Sequence, residues 1–282
     1  MIIAYAVLFL FGLSVLLAGV LAVADNKLKV FEDPRIDIVS DMLPGANCGA
    51  CGVPGCRAFA ELAVKGEVKP GACPVGGSEG AERIANFLGV DAGSGVRTVA
   101  RLMCRGGIDV AKQAADYDGF SSCRAAATIT GGFKGCTYGC LGLADCERIC
   151  QFDAIQMAPN GLPVVDFAKC TSCGDCVKIC PKDLFELIPE DRHLIVQCKS
   201  QQAGDGVREL CRTACTGCGI CVSDSPAGLL RMERNLPVMN PTMASQETIE
   251  AIRRCPTKAI VWIESQQFVG MLEKKKETVK VR

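Results

Sequence analysis

The chain has 282 residues, and its 31 lysines and arginines balance 31 aspartates and glutamates, so no net field recruits nucleic acid. Aromatic residues make up only 5%, with one tryptophan, which argues against one large conventional core and for small, cofactor-stapled modules. Twenty cysteines beside a single histidine, His193, nearly exclude mixed Cys/His zinc modules; what remains is a disulfide scaffold or all-thiolate metal sites.

Residues 2–24, "IIAYAVLFLFGLSVLLAGVLAVA", carry no charge over 23 positions, enough to cross a bilayer as a helix. Ala22-Val23-Ala24 has the look of a signal cleavage site, but there is no basic n-region and the apolar run is long for a signal peptide. A retained single-span anchor is therefore expected, with a cleaved signal or a buried helix as the rivals. Lys27, Lys29 and Arg35 follow the span and favour a cytoplasmic body, where thiols stay reduced and the cysteines serve metal. Asp25, Glu32 and Asp33 read as surface charges, and one span cannot form an ion channel.

After a short connector with an amphipathic helix over Ile36–Leu43 comes the first cysteine group. Cys48, Cys51, Cys56 and Cys73 are spaced x2, x4 and x16, with glycines at 49, 52 and 55 that let the backbone wrap an inorganic cluster. Zinc is the plainer reading; the x4 spacing and the glycines favour a [4Fe–4S] cluster. Residues 74–96 read as a Gly-rich linker, and "VRTVARLMC" as a β-rich piece ending in Cys104.

Two further groups come together. Cys136, Cys140, Cys146 and Cys150 are spaced x3, x5 and x3. Cys170, Cys173, Cys176 and Cys180 are spaced x2, x2 and x3 with Pro181 after, which is the bacterial ferredoxin run. In that fold the fourth cysteine of each run ligates the other run's cluster. One cubane then takes Cys136, Cys140, Cys146 and Cys180, and another takes Cys150, Cys170, Cys173 and Cys176. The first run departs twice: Gln151 replaces proline, and Leu143 fills the second-ligand position, for which Cys136 is expected to substitute.

A shift of 75 residues lays Cys136, Cys140, Cys146 and Cys150 on Cys211, Cys215, Cys221 and Ser225, and "GLPVVD" on "NLPVMN" with a one-residue slip. A second ferredoxin-like unit follows, whose own second half keeps only Cys255 before Pro256. By the crossing rule Cys215, Cys218, Cys221 and Cys255 form the fourth cluster, with Cys211 a competitor for the place of Cys218. The cluster that Ser225 would have served lacks its other three cysteines too. Cys104, Cys123, Cys198 and Cys211 remain as plain thiols, a disulfide pair or a metal site, including a fifth cluster if the two halves face each other. Arg253 and Arg254 beside Cys255 either raise that cluster's potential or are ordinary surface arginines.

The expected fold class is α+β: one N-terminal transmembrane helix, a small [4Fe–4S] domain, then tandem ferredoxin-like units of the bacterial 2[4Fe–4S] type. The expected divisions are an anchor over 1–25, the N-terminal cluster domain over 26–80, a linker and β-rich connector over 81–130, a two-cluster unit over 131–195, a single-cluster unit over 196–265 and a charged tail over 266–282. No GxGxxG after a strand, no P-loop and no Ser/His/Asp arrangement occurs, so no catalytic residue and no flavin or NAD site is expected in this chain.

"EDPRI", "LPGANCGACGVPGC", "GACPVGG", "YGCLGLADC", "QFDAI" and the x2-x2-x3 run with "CP", behind one N-terminal span, resemble the B subunit of the Rnf-type electron transport complex over nearly the whole chain. The resemblance implies a membrane-bound ferredoxin:NAD+ oxidoreductase coupled to Na+ or H+ translocation. Within it, this chain would relay electrons through four [4Fe–4S] clusters between soluble ferredoxin, as donor or acceptor, and the other membrane subunits. It implies a single-pass protein of the inner (cytoplasmic) membrane with its clusters on the cytoplasmic side. "LEKKKETVK" near the C-terminus is then a solvated tail or a dock for an acidic ferredoxin. The alternatives are an Fe–S component of a corrinoid or CO-metabolism enzyme, and a zinc-stabilised membrane scaffold without a redox role.

Overall fold

The structure, a computed structural model, describes residues 2–28, 32–93, 97–268 and 270–272. Residues 273–282, with most of the lysine-rich tail, lie outside the described residues, as do 29–31 and 94–96.

Helix α1 (Ile2–Leu28) contains an apolar span, Tyr5–Ala24, of which nothing is buried by the rest of the chain. A row of exposed side chains such as Phe9, Phe11, Leu16 and Leu21 is unfavourable in water and suits lipid. The connector helix α2 (Pro34–Met42) starts two residues earlier than expected, because Asp33 caps it by accepting from the Arg35 N–H at 2.9 Å and Pro34 presets its first turn. Arg57, next to Cys56, pairs with Asp37 at 2.8 Å and with Glu32, so residues 32–37 clasp the start of helix α3 (Cys56–Lys65). Helix α4 (Gly77–Leu88) completes this unit around a core of Ile36, Val39, Phe59 and Ile84.

Beyond it, the described residues form four two-stranded antiparallel sheets. Strand β1 (Thr98–Leu102), inside the stretch read as connector, is sealed into the sheet of the next unit by pairing with a strand more than eighty residues on, β4 (Phe185–Pro189). Between them lie helices α5 (Cys123–Ala127) and α6 (Asp145–Ile149), the hairpin β2 (Ile155–Met157) and β3 (Pro163–Val165), and helix α7 (Asp175–Ile179). The second unit begins with β5 (Leu194–Val196) and helix α8 (Gly206–Leu210). It continues through helix α9 (Ile220–Ser223), the hairpin β6 (Leu230–Glu233) and β7 (Leu236–Met239), helix α10 (Glu250–Arg253) and β8 (Ile260–Trp262), which pairs with β5.

The repeat seen in the sequence is a repeat of structure. A 75-residue shift carries α6 to α9, α7 to α10 and β4 onto β8, and Ile155↔Val165 becomes Leu230↔Met239, the one-residue slip falling in the hairpin. The opening strands obey a different offset. Leu102 pairs with Phe185 and Val196 with Ile260, so β1 and β5 correspond at 94 residues, and the first unit has 19 more residues between its opening strand and its first ligand run. Helix α5 lies in that excess.

The C-terminal segment returns to the first unit. Gln267 is buried and acts as a third strand would: its side-chain oxygen accepts from the Leu102 N–H at 2.9 Å and its amide donates to the Leu102 carbonyl at 3.1 Å. Residues 266–268, read as the start of the charged tail, are thus fastened down, with Gln266 donating to Asp166 at 3.0 Å and Phe268 packed on the core.

Candidate metal centres

No disulfide bond joins any of the twenty cysteines. In the N-terminal unit Cys51, Cys56 and Cys73 pack on one apolar core. Cys48 lies on the same glycine-rich loop. Asn47 fixes that loop by accepting from the Cys56 N–H at 2.8 Å, and Gly55, at φ 128°, is required because a Cβ there would meet the Asn47 oxygen at 3.1 Å. Burial raises the Cys73 thiol, and its electrostatic neighbours are Cys51 and Cys56.

The run at 170–180 and its crossing partner come together as expected from the spacing: Cys150, Cys170, Cys173 and Cys176 line one cavity. Burial pushes the Cys176 thiol up to about 12, with Cys170, Cys173 and Cys150 adding to it. Backbone N–H groups aim at the sulfurs, Ala154 at Cys150 (3.4 Å) and Ala100 at Cys170 (3.5 Å), the donors that stabilise thiolate-bound clusters. In the second unit Cys215, Cys218, Cys221 and Cys255 line a matching cavity, and burial with those neighbours pushes Cys221 up to about 11. Cys218, not Cys211, belongs to this group.

The remaining group differs from the sequence expectation. Cys146 is raised by burial first and then by Cys140, Cys123, Cys176 and Cys180, whereas Cys136 turns to Cys211 and Lys134. Cys123, and not Cys136, is therefore the further cysteine beside Cys146 and Cys140. The cause is Asp145. Its buried carboxylate accepts from Ser122 Oγ at 2.9 Å and the Arg124 N–H at 3.0 Å, which pins the first turn of α5, and Cys123 with it, beside Cys146. Burial alone would raise Asp145, but the Arg124 N–H, Ser122 and Arg148 hold its carboxyl below the ordinary value. Sequence spacing gives no sign of this neighbour, because Cys123 stands outside both runs on the inserted stretch.

Among the described residues no group of three or more His, Cys, Asp or Glu is arranged to hold a single metal ion. Cys150, Cys170, Cys173 and Cys176, and likewise Cys215, Cys218, Cys221 and Cys255, surround cavities instead. A lone zinc would need four sulfurs within about 2.3 Å of one point, while a cubane spreads them apart, so the residues fit clusters.

Comparison with known proteins agrees with this geometry. Residues 43–75 match a family model described as "Putative Fe-S cluster", and residues 163–186 match the "4Fe-4S binding domain" model. The chain is 42% identical over 250 residues to the B subunit of the Na(+)-translocating ferredoxin:NAD(+) oxidoreductase complex of Acetobacterium woodii, covering 88% of this chain and 75% of that one. It is 41% identical to the B subunit of the ion-translocating oxidoreductase complex of Methanosarcina acetivorans, covering 88% and 94%. It is 37% identical to the B subunit of the proton-translocating ferredoxin:NAD(+) oxidoreductase complex of Clostridium ljungdahlii, covering 86% of each.

The chain belongs to the B-subunit family of ion-translocating oxidoreductase complexes.

Members of this family carry iron–sulfur clusters and are parts of a multi-subunit, membrane-associated oxidoreductase. Other residues singled out by the sequence have structural roles here. Arg254 forms a two-pronged pair with Asp224, and Arg253 pairs with Glu250 at 3.1 Å, so both charges beside Cys255 are balanced. His193 bonds the Ile263 carbonyl at 2.8 Å and stacks on Trp262. Ser225 donates to the Cys221 carbonyl at 2.7 Å and closes the end of α9.

Proposed function

We propose that this chain is the electron-transfer subunit of a membrane-bound ferredoxin:NAD+ oxidoreductase that couples electron flow to Na+ or H+ translocation. In this reading four [4Fe–4S] clusters are held by Cys48, Cys51, Cys56 and Cys73; by Cys123, Cys140, Cys146 and Cys180; by Cys150, Cys170, Cys173 and Cys176; and by Cys215, Cys218, Cys221 and Cys255. Its main support is the arrangement of two of these cysteine quartets, the third and the fourth, around cavities in a chain that belongs to this family.

When bound, each cluster takes up and gives up one electron, so that two oxidations of reduced ferredoxin supply the two electrons that, with one proton, turn NAD+ into NADH on another subunit. The chain's own residues supply thiolates and aimed N–H groups, and they keep water out. Leu187 stands between the Cys150–Cys176 cavity and a cleft that Cys73 and Cys170 also line, which supports passage between the first and third quartets. In this reading residues 2–24 anchor the chain, and the basic residues after the span favour a body on the cytoplasmic side. Other membrane subunits hold the ion path.

Rapid anaerobic mixing of the purified full chain with reduced ferredoxin tests this reading. Oxidation of the ferredoxin with new EPR signals from the chain is expected. Ferredoxin that stays reduced in the presence of an iron-loaded chain contradicts it.

A further inference from the structure

Four cysteines stand outside those quartets: Cys104, Cys136, Cys198 and Cys211. They line one cavity, with Gly106 and Ala111 in its wall. Its empty volume is ≈ 340 Å³, against ≈ 340 Å³ for the cavity around Cys150, Cys170, Cys173 and Cys176 and ≈ 370 Å³ for that around Cys215, Cys218, Cys221 and Cys255.

The repeat explains why they meet. The 75-residue shift relates Cys136 to Cys211. The strand register relates Cys104 to Cys198, since each sits two residues past the matched pair Leu102 and Val196. Each unit thus contributes the same two positions, and the units face each other across a junction closed by the bridge Ala111↔Cys211. The hydrogen bonds repeat as well. The Cys140 N–H donates to Cys104 Sγ at 3.5 Å, and its counterpart, the Cys215 N–H, donates to Cys198 Sγ at 3.3 Å. Gly106 N–H adds a second donor to Cys104 at 3.4 Å, and a Cβ at Gly106 would lie 3.2 Å from Cys211 Sγ.

One charge at the site also needs an anion. Lys134 is 5% exposed, its ammonium donates to the Gly106 carbonyl at 2.5 Å, and among the described residues no carboxylate pairs with it. A buried cation of this kind is costly without a counter-charge, which a thiolate-bound cluster provides.

We propose that Cys104, Cys136, Cys198 and Cys211 ligate a fifth [4Fe–4S] cluster at the pseudo-twofold junction between the two ferredoxin-like units. The inference rests on reading the other quartets as cluster sites. It places a one-electron centre one hydrogen bond from a ligand of the second quartet, Cys140, and one from a ligand of the fourth, Cys215. The single-cluster unit is thereby joined to the two-cluster unit; one electron enters and one leaves, with no bond made or broken.

The test is iron and acid-labile sulfide per chain in the anaerobically purified full-length protein, with zinc measured on the same sample. About 20 of each, at four per cubane, is expected. About 16 of each, with or without one zinc, overturns the fifth cluster and leaves the electron-transfer reading intact; zinc with little iron overturns both. Double variants settle the membership. Cys136→Ser with Cys211→Ser removes about four irons, as one site should, whereas Cys136→Ser with Cys146→Ser removes about eight. If the second pair removes only about four, Cys136 and Cys146 share a cluster and the proposal fails. Where a variant does not accumulate, the count on the unaltered chain decides alone.

Discussion

At the residue scale, Asp145 holds Cys123, rather than Cys136, beside Cys146. Its carboxylate holds Ser122, Arg124 and Arg148 at once, with Arg148 also donating to the Leu143 carbonyl at 2.8 Å. Asp145→Ala should strand these partners, cost about 2–3 kcal/mol, and release about four irons as Cys123 drifts away. Thermal melts and iron analysis check both, and full iron content in the variant would show that Cys123 is not a ligand. Lys134 acts differently, through charge. An ammonium buried beside the junction favours the more negative, reduced state of whatever cluster binds there. Lys134→Met should lower that centre's midpoint potential by an amount on the order of 60 mV, a tenfold change in a one-electron equilibrium, read by EPR-monitored redox titration. An unchanged or raised potential would remove Lys134 from the site.

At the element scale, the difference between the two units comes down to what packs where cysteines might stand. The counterparts of Cys170, Cys173 and Cys176 are Ser245, Thr248 and Ala251, and Ala251 is buried in the apolar core of its unit. Restoring the fourth cysteine alone therefore restores nothing: Ser225→Cys should leave the iron content unchanged, and a gain of about four irons would mean the site survives in some other form. The same comparison explains what could be read from sequence. The grouping of Cys170, Cys173 and Cys176 is legible because they lie within one loop and turn, and the approach of Cys150 and Cys255 to their groups because the crossing rule of the ferredoxin run puts them there. The approach of Cys123 to Cys146 is not, since it depends on a carboxylate that reaches from α6 to an inserted helix. The match of Cys104 to Cys198 was also hidden: it follows the ladders β1–β4 and β5–β8, whose 94-residue offset departs from the 75-residue repeat of the ligand runs.

At the scale of the molecule, separate small apolar cores, each enclosing cysteines, replace the single large core that so few aromatic residues could not build. Cluster binding and folding are coupled in such modules, because buried thiols must lose protons to become ligands and the ligand cage has little other reason to close. The cysteine groups also fall in a sequence. The first and third quartets share a cleft, the third and second are neighbours through Cys176 and Cys146, and the junction site links the second to the fourth. If this line of sites conducts, every cluster along it must accept an electron. Stoichiometric reductive titration of the anaerobic full-length chain, with its iron counted on the same sample, examines that property without a partner protein. One electron should be taken up for about every four irons, to a total of about five per chain. A chain that holds its metal but accepts no electrons would be a scaffold and not a conductor.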